Sequence, residues 1–190
     1  MKQLMLLPIL DSFFLVGGTA LALQLGHRTS VDLDLFTLQP FNNSILPDTL
    51  AAEFNIIVES EQPNMIITNI EGIKVDFVKM GYPLLFPALS VEGVRMLDIR
   101  DIAPMKLKAI AQRGSKKDFL DIYFLLQHLP LETMISLFQQ KFKMYEIFHI
   151  IKSLTYFEDA EQFADPDVFD KSVSWEKVKT LIQESVKKLN

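Results

Sequence analysis

The residues of this sequence that could do chemistry crowd into one stretch, residues 13–36, which reads FFLVGGTALALQLGHRTSVDLDLF. Asp32 and Asp34 stand two apart in residues 31–36, where apolar and acidic positions alternate. On a strand, that spacing projects both carboxylates from the same face. Upstream, Gly17 and Gly18 follow the apolar run 13–16 and precede residues 19–25, a segment that can be helical and begins with the hydroxyl of Thr19. Glycines at a strand-to-helix junction let backbone N–H groups approach a phosphate, and a helix N-terminus favours negative charge there. Two carboxylates beside such a cradle can hold Mg²⁺ and align an attacking oxygen. The chemistry implied is phosphoryl transfer. Either half alone has an ordinary explanation, a common glycine turn or a solvated acidic edge. Their juxtaposition carries the inference, since each supplies what the other needs.

Further candidates lie downstream. Asp76 sits in the segment K-V-D-F-V, on the strand face opposite Ile73, Val75 and Phe77; a surface pair with Lys74 or Lys79 would also account for it. Lys106, Lys108, Arg113, Lys116 and Lys117 form a basic run with no acidic residue among them. Lys106 and Arg113 are seven apart, so a helix puts them on one face, suited to a triphosphate or an acceptor RNA. The same run also reads as a solvated basic face. Asp118 and Asp121 share a helix face, and an i,i+4 pair of Lys117 with Asp121 accounts for the latter without catalysis. His27 and Arg28, in the turn after the first helical segment, suit either phosphate binding or turn stabilisation. His128 and His149 are lone histidines on apolar helices and read as structural.

The elements that must position these groups follow from pattern. A short helix near Pro8 precedes the first strand, and residues 48–54 read as a helix. Residues 55–59, 65–70 and 73–78 read as strands, the last two joined at Glu71-Gly72 by a tight hairpin turn. Residues 82–98 read as an irregular connection ending in a short strand at 94–97. Asp101 is a candidate N-cap for the helix that follows, with Pro104 in its first turn. Gly114-Ser115 breaks that helix, and Ser115 caps the next, 116–127. Beyond it, residues 131–142, 145–154 and 175–189 have the apolar period of packed helices, with Ser174 capping the last.

The run G-G-T-A-L, then L-G-H-R, then S-x-D-L-D-L-F resembles the signature of the nucleotidyltransferases that include the AbiEii/AbiGii toxins of bacterial abortive-infection systems, a branch of the polymerase-β-like superfamily. The downstream K-x-x-A at Lys106, with Arg113 and Lys117-Asp118-x-x-Asp121, resembles the family's later motifs. Relatives commonly carry serine where this chain has Thr19. The resemblance covers residues 13–126. It implies an α/β (α+β) fold: a polymerase-β-like core with a small mixed sheet over residues 1–98, then a helical region over 99–190. It further implies that Gly17, Gly18 and Thr19 hold an NTP and that Asp32, Asp34 and Asp76 bind Mg²⁺ or Mn²⁺. Lys106, Arg113 and Arg28 would contact phosphate, and Asp118 or Asp121 would complete the site. The activity implied is transfer of a nucleoside monophosphate to an acceptor hydroxyl, on RNA such as a tRNA 3′ end or on a protein, by a toxin paired with an antitoxin. Two other readings stand beside it: a nucleotide- or antitoxin-binding module that has lost transfer, and an enzyme that modifies an antibiotic.

Composition bounds these readings. The chain has 190 residues, 49% of them hydrophobic and 15 of them Phe, enough to bury a sizeable core. Its net charge of −5 confines any nucleic-acid contact to a local basic patch. The absence of cysteine excludes disulfides, thiolate metal sites and cysteine nucleophiles. The N-terminal apolar run, with Ala20-Leu21-Ala22, has some features of a secretory signal, but Pro8 and Asp11 interrupt it and cleavage there would remove the glycine pair. A cytoplasmic protein is expected, with no run approaching the ~20 apolar residues that span a bilayer.

Overall fold

The computed structural model describes residues 1–189. These form two compact units, the first comprising Met1–Ala20 and Ser30–Asp98, the second Leu21–Thr29 and the chain from Ile99 onward.

The first unit is built on a seven-stranded mixed sheet. Its strands are β1 (Phe13–Val16), β2 (Leu33–Thr37), β3 (Ile56–Gln62), β4 (Met65–Ile70), β5 (Ile73–Lys79), β6 (Leu89–Val91) and β7 (Val94–Met96), in the order β3-β4-β5-β2-β1-β7-β6. β1 runs antiparallel to β2 and parallel to β7, and β2 runs parallel to β5. The strand alternation follows the sequence. Phe13, Leu15, Leu33, Leu35, Val75 and Phe77 are buried on one face, while Asp34, Phe36, Asp76 and Val78 line the other and are part-exposed. Phe13 meets Phe77 edge-on at 5.8 Å and Phe41 at 5.4 Å, a geometry that favours aromatic pairs beyond their burial. Helix α1 (Lys2–Met5) and a 3₁₀ turn at Pro8–Leu10 open the chain, and α3 (Ile45–Ala51) packs by Leu46 and Leu50. Arg95 on β7 donates to the carbonyls of Met5, Leu10 and Phe13, tying the N-terminal turns to the sheet.

Helix α2 (Gly17–Leu25) starts as soon as β1 ends. The second unit contains α4 (Ile99–Arg113), α5 (Lys116–Leu125), α6 (Leu131–Lys141), α7 (Ile147–Leu154) and α8 (Trp175–Lys187). Its core gathers Leu107, Phe119, Ile122, Leu125, Met134, Phe138, Leu154 and Ile182. The Ser174 cap forms, with its hydroxyl accepting from the Lys177 N–H at 3.3 Å.

Several expected details change. β2 starts at Leu33, so Asp32 lies just before the strand and is exposed. Asp101 is no N-cap: it lies inside the first turn of α4, fully buried, 2.5 Å from the Lys141 ammonium. The connection before residue 94 contains a strand, β6, hydrogen-bonded to β7. Among the described residues no helix is long and apolar enough to cross a membrane.

Candidate active site

In the first unit the carboxylates gather where β1, β2 and β5 lie side by side. Asp34 pairs in register with Val16 on one side and with Asp76 on the other. Two acidic side chains therefore leave neighbouring parallel strands from the same face. The glycine turn is fitted to one of them. Gly17 has φ +68°, and a Cβ added there would lie 2.3 Å from Asp34 Oδ2. Only glycine lets this carboxylate fold over the backbone at the start of α2. Thr19, also buried, donates its hydroxyl to the main-chain carbonyl of Asp32, and its oxygen lies 2.9 Å from Ser30 Oγ. The hydroxyl at the helix start thus fixes the segment that carries Asp32.

Asp76 is held on one side only. Its Oδ2 accepts from Lys74 Nζ at 3.0 Å, while Oδ1 is buried without a hydrogen-bond partner. Buried carboxylate oxygens normally find donors, so an orphan is a place for a ligand. Among the described residues no three His, Asp or Glu side chains are gathered closely enough to hold a metal ion by themselves. The donor set still suits Mg²⁺. That ion takes oxygen ligands and usually binds through one or two carboxylates, with substrate phosphates and waters completing its shell.

In the second unit the sequence-predicted residues assemble into a buried ionic network. Asp121 is fully buried and accepts from Arg28 Nε at 2.7 Å and Nη2 at 3.0 Å, while His27 Nε2 lies 2.8 Å away. Lys106 Nζ lies 2.7 Å from Asp121 and 3.3 Å from Asp118. Asp118 also takes Arg113 Nε at 2.7 Å and the Ser115 hydroxyl at 2.6 Å. Burial alone would raise both carboxyls. For Asp121 the Lys106 charge and the bonds from His27 and Arg28 prevail and hold it far below the usual carboxylate range. For Asp118 the Arg113 bond and the Lys106 charge hold it below its ordinary value. Asp121 is thus paired across some ninety residues of chain, and Lys117 is not among its partners. The turn that carries His27 and Arg28 is clipped by a bridge between Arg28 and Val168 and by the Thr29 N–H bond to Asp167.

The basic run does not form one face. Lys106 is buried among carboxylates, and Lys108 lies over the rings of Phe142 and Tyr145. Lys116 bonds Asp165 at 2.9 Å and lies 5.3 Å above the Trp175 ring. Arg113, whose side chain is 54% exposed, shares Asp118 with Lys106. Ser115 is a participant that the sequence presents only as a cap, although S-x-x-D places its hydroxyl within reach of Asp118. The pair of Lys74 with Asp76, expected as another account of Asp76, forms.

Residues 1–90 and 73–186 match the family described as "Nucleotidyl transferase AbiEii toxin, Type IV TA system". The chain belongs to the AbiEii family. As a member it is a nucleotidyltransferase of a toxin family. A similar sequence is the uncharacterized protein aq_aa25 of Aquifex aeolicus, 35% identical over 193 residues, covering 98% of this chain and 92% of that protein. Solved structures share the fold of this AbiEii protein. A Helicobacter pylori structure described as a nucleotidyltransferase matches with a TM-score of 0.57 at 19% identity, covering 100% of this chain and 96% of the other. JHP933 from Helicobacter pylori gives a TM-score of 0.55 at 21% identity, covering 99% and 88%. MenT4, a nucleotidyltransferase toxin of Mycobacterium tuberculosis, gives 0.56 at 13% identity, covering 95% and 77%.

Proposed function

We propose that this protein moves a nucleoside monophosphate from an NTP to an acceptor hydroxyl, with Asp34 and Asp76 as its central carboxylates. The observation that carries the reading is their register on adjacent parallel strands, with Gly17 fitted beneath Asp34 and one oxygen of Asp76 buried without a donor. Asp34 and Asp76, with the exposed Asp32 just before β2, would hold Mg²⁺ or Mn²⁺, whose charge would offset that of the phosphates and favour ionisation of the acceptor hydroxyl. The backbone at Gly17 and Gly18 receives the triphosphate at the start of α2. Thr19 holds the Asp32 segment in place through its hydroxyl. The acceptor oxygen bonds to the α-phosphorus as the bond to the bridging oxygen breaks. The electron pair leaves with pyrophosphate, and the hydroxyl proton passes to the Asp76 carboxylate.

In the second unit, Asp118 and Asp121 fix the cations Arg28, Lys106 and Arg113. Candidate acceptors are RNA, such as a tRNA 3′ end, or a protein side chain, and an antitoxin protein is the regulatory partner that fits a toxin family. A binding module that has lost transfer is favoured by one observation, the hold of Lys74 on Asp76 where a metal would sit.

The test is transfer of label. Purified protein is incubated with each α-³²P-labelled NTP, Mg²⁺ and total bacterial RNA, beside Asp34→Ala and Asp76→Ala. Label on RNA or protein from the wild type and none from either variant is expected, with circular dichroism of the variants unchanged. Transfer undiminished in both variants overturns the assignment. Nucleotide binding without pyrophosphate release selects the module.

A further inference from the structure

The acidic cluster of the first unit contains one cation that the reaction above does not use. Lys74 leaves β5 on the same face as Asp76, two residues before it, and its ammonium lies 3.0 Å from Asp76 Oδ2. The two partners are unequally fixed: the Asp76 side chain is 15% exposed and that of Lys74 46%. A carboxylate anchored in the sheet is thus met by an ammonium on a flexible stem that solvent can reach. Asp34 stands in register with Asp76 on β2, so the carboxylate that Lys74 holds is one of two on neighbouring strands.

The consequence for a second cation is electrostatic. Carboxylates brought together on neighbouring strands repel one another, and a positive charge among them relieves that repulsion. A divalent ion on Asp76 would face the ammonium across the same carboxylate and repel it. The lysine stem can swing into solvent, whereas Asp76 is fixed by the sheet.

We propose that Lys74 is the resident counter-ion of Asp76, and that a divalent metal must displace its ammonium from that carboxylate in order to bind. The inference rests on the metal-holding role of Asp34 and Asp76 proposed above. Lys74 then holds that carboxylate in place before loading and sets the metal concentration at which loading occurs. It is a positioning residue and takes no part in bond making.

Direct Mn²⁺ binding tests this, read from the electron paramagnetic resonance signal of free Mn²⁺ without nucleotide. The proteins are the wild type, Lys74→Met, Lys74→Arg and Asp76→Asn, each also melted in the absence of metal. Methionine keeps most of the stem and removes the charge, and arginine keeps the charge. Lys74→Met is expected to bind Mn²⁺ roughly fivefold more tightly, the scale of a part-exposed ion pair, and to melt lower than the wild type without metal. Lys74→Arg should bind as the wild type does, and Asp76→Asn should lose the site. If Asp76→Asn loses a site that the wild type has while Lys74→Met binds no more tightly, the counter-ion role is overturned and the metal site stands. If the wild type shows no site that Asp76→Asn removes, this inference is overturned, while the metal reading, whose shell includes substrate phosphates, is decided by the transfer assay.

Discussion

At the scale of single residues, Gly17 is the position where sequence and geometry meet most closely. Its φ of +68° and the 2.3 Å approach of a Cβ to Asp34 Oδ2 are separate obstacles to any side chain. The first is strain, about 1–2 kcal/mol for an L-residue in the left-handed region. The second displaces a carboxylate, the end of a movable side chain, so its effect falls on activity more than on stability. Gly26 separates the two, since it has φ +59° with nothing within 4 Å of an added Cβ. Gly17→Ala and Gly26→Ala should therefore lose similar stability in urea denaturation, while only Gly17→Ala loses nucleotide transfer. Equal transfer by the two variants would show that the fit of Gly17 to Asp34 has no catalytic weight. The glycine and acidic positions were legible because their signal is local: a turn, a helix start and a two-residue alternation. The partners of Asp121 were not. Sequence spacing offered Lys117 four residues away, whereas the fold supplies Arg28 and His27 from a turn more than ninety residues earlier. An i,i+4 pair on a solvated helix is weak, and burial of Asp121 decides the matter in favour of partners that are buried with it.

At the scale of elements, one four-residue pattern makes two hairpins. I-E-G-I gives the β4–β5 hairpin, with Glu71 at φ 51° and Gly72 at φ 81°. V-E-G-V gives the β6–β7 hairpin in the same way, with Glu92 at φ 49° and Gly93 at φ 81°. Both turns have positive φ at their two central positions, the twist that matches paired strands. The second is hidden in the sequence because Pro83 and Pro87 precede it and its strands have only three residues each, too short to show alternation. The two turns should respond differently to one change. Asparagine tolerates positive φ better than glutamate does. Glu71 also accepts the Asn55 N–H at 2.8 Å, whereas Glu92 makes an ion pair with Lys2 in which both side chains are largely exposed. Glu92→Asn should therefore raise the melting temperature or leave it unchanged, and Glu71→Asn should lower it. A fall in both would mean that turn conformation is not what limits β6–β7. The boundary of β2 was missed for a related reason: Val31 and Asp32 continue the alternation, but the strand begins only at Leu33, after Thr19 has bound the Asp32 carbonyl.

At the scale of the whole molecule, the sequence presents an acidic protein with one basic run, and the fold turns much of that run inward. Lys106 and Lys116 are buried, and Lys106 is enclosed with Arg28 around Asp118 and Asp121. The stability of the second unit is consequently tied to the ionisation of two carboxylates, and this fixes the sign of its pH dependence. Both folded-state carboxyls lie below their ordinary value of 3.8. Between the unfolded and folded values the unfolded chain binds more protons, so stability rises with pH there. The contribution is complete above the unfolded value and is lost progressively as the pH falls below about 4–5 towards the folded values. Asp121→Asn should remove much of that acid slope and cost about 3–5 kcal/mol near neutrality, because it leaves Arg28 buried without its countercharge and Lys106 with Asp118 alone. Hydrogen exchange followed by mass spectrometry resolves where the loss occurs. Acidification from pH 6 to pH 3.5 should deprotect α4 and α5 before β2 and β5 in the wild type. In Asp121→Asn those helices should already exchange faster at pH 6 and change less on acidification. Deprotection of the strands first would mean that the acid sensitivity of this protein resides in the sheet, and the buried network would then be a passive part of the core.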